Sequence, residues 1–252
     1  MPYADNHGMR IWYEVRGEGM PLVMLHGFTS SSAHWKVYGY ASALEKTHRV
    51  VLIDLRGHGK SAKPHAREAY VLEHRLADID AVLRECGITS AHFCGFSMGG
   101  WLAMAMAARS PGMVESLIIG GAHPYEENFT PFAGLDGSDP DAFIAALERF
   151  LGEDITPDVR RMMLLNDLHA LCAAATDRAS LAPVLEGLKI PAMMFVGDRD
   201  QRLAAVQRAA QEMHARLAIA PGVAHAGTLS AASVLVPAIK SFLHTREGEP
   251  TE

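Results

Sequence analysis

An α/β fold, with a mostly parallel central β-sheet of about eight strands and helices on both faces, is predicted by three observations. Short apolar runs alternate along the chain with helix-forming segments. Several of those runs end in loops rich in Gly, His and Asp. One of them passes through the pentapeptide Gly95-Phe96-Ser97-Met98-Gly99 directly into a helix-forming stretch.

The elements follow in order. Met9 to Val15 and the turn Gly17-Glu18-Gly19 predict an antiparallel start. Leu22–Leu25 predicts a strand that enters His26-Gly27-Phe28, and 49–53 predicts another that enters Asp54-Leu55-Arg56-Gly57-His58-Gly59-Lys60-Ser61. Leu72, Leu76, Ile79, Val82 and Leu83 recur at helical spacing, and Gly87 ends that helix. Ala91 to Cys94 reads as a buried strand, and Gly100 to Ala108 as a helix free of breakers after Gly100. Further strands are predicted at 114–119, 191–196 and 216–220, with His214 inside a helix. The segment 86–108 carries no Asp, Glu, Lys or Arg, but it divides into strand, turn and helix, so it reads as the sheet centre rather than a membrane span.

Composition bounds the function. The 252 residues are 49% hydrophobic and 21% charged, as expected of an ordinary globular protein with a sizeable core. A net charge of −6 argues against nucleic acid or an anionic membrane as partner, leaving a small-molecule substrate. Oligomeric state is open. The N-terminus has no apolar signal core, so a cytoplasmic location is expected. Cys86, Cys94 and Cys172 form no C-x-x-C pair and no disulfide framework, and Cys94 reads as an inert core residue. Thirteen histidines invite a metal reading, but no H-E-x-x-H or comparable spacing occurs, so neither metal nor organic cofactor is expected.

The chemistry is suggested by what precedes and follows Ser97. A serine between a strand and a helix, with glycines two places to either side, matches a nucleophile elbow. A serine hydroxyl needs a base, and the base needs an orienting acid. Downstream, one apolar strand ends in Gly197-Asp198-Arg199-Asp200, and the last ends before Pro221-Gly222-Val223-Ala224-His225. Acid then histidine is the order this architecture requires, with Asp198 and Asp200 both candidates for the acid. All of these groups fall beyond the carboxyl ends of predicted strands, where open parallel sheets bind ligands.

With HGF, DLRGHGKS, GFSMGG, GDRD and the late histidine in that order from about Leu22 to His225, the chain resembles the α/β-hydrolase superfamily. The resemblance implies a core over 1–122 and 188–252 and a small helical cap over 123–187, inserted after the sixth strand. In that cap, Ser138 or Asp139 with Pro140, and Thr156-Pro157, predict two helix starts, and Gly152 a stop. The family spacing selects Asp200 as acid and leaves Asp198 a turn-former. It implies a serine hydrolase acting on a small or medium carboxylic ester or lactone, with His225 as base and the backbone N–H groups of Phe28 and Met98 as oxyanion donors. Candidate pocket residues are His34, Trp35, Trp101 and His123, with Phe129, Phe132, Met162 and Met163 from the cap; the last four serve equally as glue between cap and core. His26 and His58 read as structural. Ala224 and Ser230 stand where many relatives carry Gly and Glu. Carbon–carbon bond hydrolysis of a ring-fission dienoate remains an alternative, and Arg160, Arg161 and Arg178 are offered as its carboxylate anchors. So do perhydrolase or acyl-transfer activity and a non-turnover ligand receptor.

Overall fold

A computed structural model describes residues 2–247. Its sheet contains β1 (Tyr3–Asn6), β2 (Met9–Arg16), β3 (Met20–Leu25), β4 (His48–Ile53), β5 (Ala91–Phe96), β6 (Val114–Gly120), β7 (Ala192–Gly197) and β8 (Arg216–Ala220). The spatial order is β1-β2-β4-β3-β5-β6-β7-β8. β1 and β2 are antiparallel to their neighbours; every pairing from β4 through β8 is parallel. β3, β5 and β7 are buried along nearly their whole length, which fits the continuous apolar runs that announce them. β1 escaped the sequence reading: four residues with one buried side chain give almost no periodic signal.

Helices cover both faces. α1 (Ala33–Val37), α2 (Tyr40–Leu44) and α10 (Ala232–Glu247) contribute to one apolar core, with Trp35, Phe195 and Phe242 among its members. α3 (Leu72–Glu85), α4 (Met98–Arg109) and α9 (Leu203–Glu212) pack into the other, around Phe93, Met104 and Val206. His214 lies outside α9, in the turn beyond its end at φ 49°, a conformation that a helix interior does not allow. Cys94 and Cys172 are buried, and burial pushes both thiols up, Cys172 to about 11.

Between β6 and β7 the chain forms α5 (Pro140–Leu151), α6 (Pro157–Met163), α7 (Leu168–Ala174) and α8 (Ala182–Leu185). Asp139 caps α5 by accepting from the N–H groups of Asp141 and Ala142, and Gly152 ends it at φ 68°. Thr156 caps α6. This insert has an apolar cluster of its own, built on Phe129, Phe132, Phe143, Phe150 and Leu171. It is tied to the core by Arg75, whose Nη2 donates to the Ala174 carbonyl at 2.7 Å.

Candidate active site

Ser97 sits at the abrupt junction between β5 and α4, with φ 51° and ψ −112°. Such a backbone costs a non-glycine residue about 1–3 kcal/mol and persists only where surrounding structure enforces it. The enforcement is visible. A Cβ on Gly95 would collide with the Gly99 carbonyl, and one on Gly99 would collide with the Leu25 carbonyl. The Ser97 N–H donates to Gly120 O at 2.7 Å, fixing the turn against β6.

Asp200 and His225 come from the turns after β7 and β8. His225 Nδ1 and Asp200 Oδ2 are 2.6 Å apart in a buried setting. An Nδ1–H donated to the carboxylate leaves Nε2 with its lone pair. The other carboxylate oxygen accepts the Arg202 N–H at 2.9 Å. Burial pushes the Asp200 carboxyl up, but the His225 hydrogen bond and charge, then Arg202, outweigh it and hold Asp200 below the usual carboxylate range. The His225 ring stacks on Phe96, the residue before Ser97, with centroids 5.0 Å apart at 29°. Asp198 turns elsewhere: its Oδ1 accepts the Gly222 N–H at 2.8 Å and holds the β8 turn.

The loop after β3 is braced from two sides. His26 Nδ1 lies 2.8 Å from Gly27 O, and its Nε2 accepts the Leu55 N–H at 2.9 Å. Burial pushes this imidazole down to about 4, so it is a neutral strut between two loops. Thr29 has φ 63°, and its carbonyl accepts from Asn166 Nδ2 at 3.0 Å; the same amide donates to Met163 O at 2.8 Å. Met98 opens α4, so its N–H belongs to the group that has no intrahelical acceptor.

These parts surround a cavity of about 400 Å³. Phe28, Ser97 and His225 line it from the core, with His34 and Tyr38; Leu147, Phe150, Leu151, Val159, Met162, Met163 and Leu165 line it from the insert. Five expected pocket residues lie elsewhere. Trp35 is fully buried against Tyr40, ring centroids 5.4 Å apart, because one step along α1 rotates the side chain from cavity to core. Trp101 packs from α4 into the core, with the Arg178 guanidinium over its ring. Phe129 and Phe132 interlock with Phe143 and Phe150 inside the insert. His123 lines a separate hollow. Leu147, Phe150 and Leu151 are among the lining residues that the sequence did not single out; the apolar stripe of α5 announces them, but it is wide enough to serve both the insert's core and the cavity.

The proposed carboxylate anchors also lie off the cavity. Arg160 pairs with Asp141, Arg161 with Asp158, and Arg178 with Glu127. Lys63 lines the cavity, with Nζ donating to the Gly59 and Ser61 carbonyls. Among the described residues no cluster of three or more His, Cys, Asp or Glu side chains could hold a metal, and no helix is long and apolar enough to cross a membrane.

A family model described as alpha/beta hydrolase fold matches residues 20–194. The crystal structure of the enol-lactonase from Burkholderia xenovorans LB400 superposes with a TM-score of 0.84 at 25% identity, covering 96% of this chain and 100% of that one. The putative 2-succinyl-6-hydroxy-2,4-cyclohexadiene-1-carboxylate synthase of Bacillus subtilis (strain 168) is 25% identical over 245 residues, 84% of this chain and 88% of the relative. The probable lysophospholipase BODYGUARD 3 of Arabidopsis thaliana is 40% identical over 101 residues, 39% of this chain, and the match spans only 20% of that relative's length.

Proposed function

The chain belongs to the alpha/beta hydrolase fold family and is an enzyme, and from that premise we propose that it hydrolyses small to medium carboxylic esters or lactones through an acyl-enzyme on Ser97. The observation that carries this reading is the buried 2.6 Å His225–Asp200 bond, with the imidazole stacked on the residue that precedes a strained serine. In the proposed reaction Ser97 Oγ attacks the acyl carbonyl as His225 Nε2 takes its proton. Asp200 orients the ring and stabilises the imidazolium. The N–H groups of Phe28 and Met98 receive the oxyanion; one such donor is typically worth about 2.7–4 kcal/mol of barrier. His225 then returns its proton to the leaving alkoxide and deprotonates the water that releases the acid. The segment 123–187 serves as the cap.

The lining favours esters and lactones over substrates that must be held by a second carboxylate. Its insert wall is apolar apart from Asn166, the three candidate arginines are committed to carboxylates away from it, and the Lys63 ammonium in the lining donates to the Gly59 and Ser61 carbonyls. The likeness to the enol-lactonase over nearly the whole chain agrees.

A series of p-nitrophenyl esters of increasing acyl length tests the proposal. Wild-type enzyme is expected to turn them over, and Ser97→Ala to lose roughly 10⁴-fold or more in kcat. A fluorophosphonate should add one adduct to wild type and none to the variant. Turnover that survives in Ser97→Ala overturns the assignment; tight ligand binding without turnover favours a receptor.

A further inference from the structure

The turn after β3 carries a second strained residue, beside the proposed oxyanion donor. Among the described residues four non-glycines have positive φ, and of these Ser97 and Thr29 line the catalytic cavity. Thr29, at φ 63°, is the β-branched one, a side chain that this region of backbone space strongly disfavours. The Ser30 N–H donates to Gly27 O at 3.2 Å and closes a four-residue turn, with Phe28 second and Thr29 third. Within that turn positive φ is confined to the third residue, a position that favours Gly or Asn. A threonine persists there only because its surroundings hold it.

Two contacts with the insert supply that hold. The Thr29 carbonyl accepts from Asn166 Nδ2 at 3.0 Å, and among the described residues it meets no other donor. Asn166 is itself pinned: Nδ2 also donates to Met163 O at 2.8 Å, its backbone N–H donates to the same carbonyl at 3.1 Å, and Asp167 beside it caps α7. The Phe28 ring makes the second contact, edge-on to Phe129 and Phe132 with centroids 6.0 and 5.7 Å away. With the ring locked among aromatics, any relaxation of Thr29 toward negative φ falls on the backbone of the turn, to which the Phe28 N–H belongs. Within the turn, the Thr29 hydroxyl donates to Phe28 O at 2.6 Å and adds a local brace.

We propose that Asn166 is a positioning residue for the hydrolysis proposed above, an inference that rests on that reading. By holding the Thr29 carbonyl it keeps the turn in the form that aims the Phe28 N–H at the oxyanion. The insert then completes the oxyanion site as well as walling the cavity. Its influence is felt where charge develops, so it acts on kcat and leaves substrate binding nearly alone.

Steady-state kinetics on one p-nitrophenyl ester, in a double-mutant cycle of Asn166→Ala with Thr29→Gly, tests the proposal. Asn166→Ala alone should lower kcat roughly tenfold, less than the roughly 10²–10³-fold of an outright lost donor, with KM within about twofold. Asn166→Asp, of the same shape but with no side-chain N–H to give, should lose at least as much, and it completes the same cycle should Asn166→Ala not fold. Glycine adopts positive φ without strain, so a Thr29→Gly turn no longer depends on the tether. In that background Asn166→Ala should cost less than about twofold in kcat, a recovery that a merely structural role would not produce. Equal losses in both backgrounds, a loss carried by KM, or kcat unchanged in both Asn166 variants overturns the proposal. Failure of the Ser97 reading looks different, because turnover then survives Ser97→Ala whatever stands at positions 29 and 166.

Discussion

Ser97 and Met162 face the same cavity from opposite sides, and their surroundings could hardly differ more. Ser97 is buried between two glycines whose places no larger residue could take, because added carbon would strike backbone. Met162 is 53% exposed on the seven-residue α6, and Leu165 just beyond is 86% exposed. Backbone collisions fix the serine side; side-chain adaptability shapes the insert side, where thioether and leucine can repack. The lesson is a division of labour: the serine side of the cavity is held by backbone at the sheet ends, and the insert side by a looser layer of side chains.

Substitutions can break or sharpen that contrast. The largest effect is expected at the sheet ends. Asp200→Asn should lower kcat roughly 10³–10⁴-fold, as loss of the orienting acid does in other serine triads, while Asp198→Asn stays within about tenfold. Steady-state kinetics on one ester decides it, and the reverse ranking would move the acid to the residue that binds Gly222.

Next comes the junction between the two regions. Glu127→Gln leaves two buried guanidiniums without their carboxylate and should cost about 3–5 kcal/mol in urea unfolding at neutral pH. Burial pushes the Glu127 carboxyl up, but Arg178 and Arg202 outweigh it and hold it below its ordinary 4.5. Its stabilising contribution is therefore complete above about pH 4.5 and fades as pH falls through the lower, folded-state value. The gap between wild type and Glu127→Gln should close on that acid limb; a gap that widens instead would contradict the ion pairing.

The smallest effect is expected at the cavity mouth. Leu165→Ser should change stability by less than about 0.5 kcal/mol. It should nonetheless lower kcat/KM about threefold for long-chain esters relative to acetate, roughly the worth of one buried methylene. Equal loss across all chain lengths would mean that Leu165 does not touch the acyl chain.

The same contrast explains what the sequence disclosed. Strand ends were legible because HGF, GFSMGG and GDRD combine apolar runs with residues that only one backbone geometry tolerates. Six strands were placed to within about two residues, whereas β1 alternates too briefly to register. The insert was legible as two helices starting at Ser138 or Asp139 and at Thr156, of which the structure selects Asp139 as the first cap, but α7 and α8 carry no comparable sequence expectation. Periodicity reveals that Phe129, Phe132 and Phe150 are apolar. It does not reveal which meet each other and which meet a ligand, since both settings exclude water. Trp35 and His34 show the same limit at one-residue resolution: a helical step separates core from cavity.

The single amide of Asn166 holds the carbonyls of Thr29 and Met163 at once. A swing of the insert that keeps one of those contacts must stretch the other. The position of the insert and the tautness of the β3 loop are thus coupled through one side chain, so a substitution at Asn166 should loosen both together.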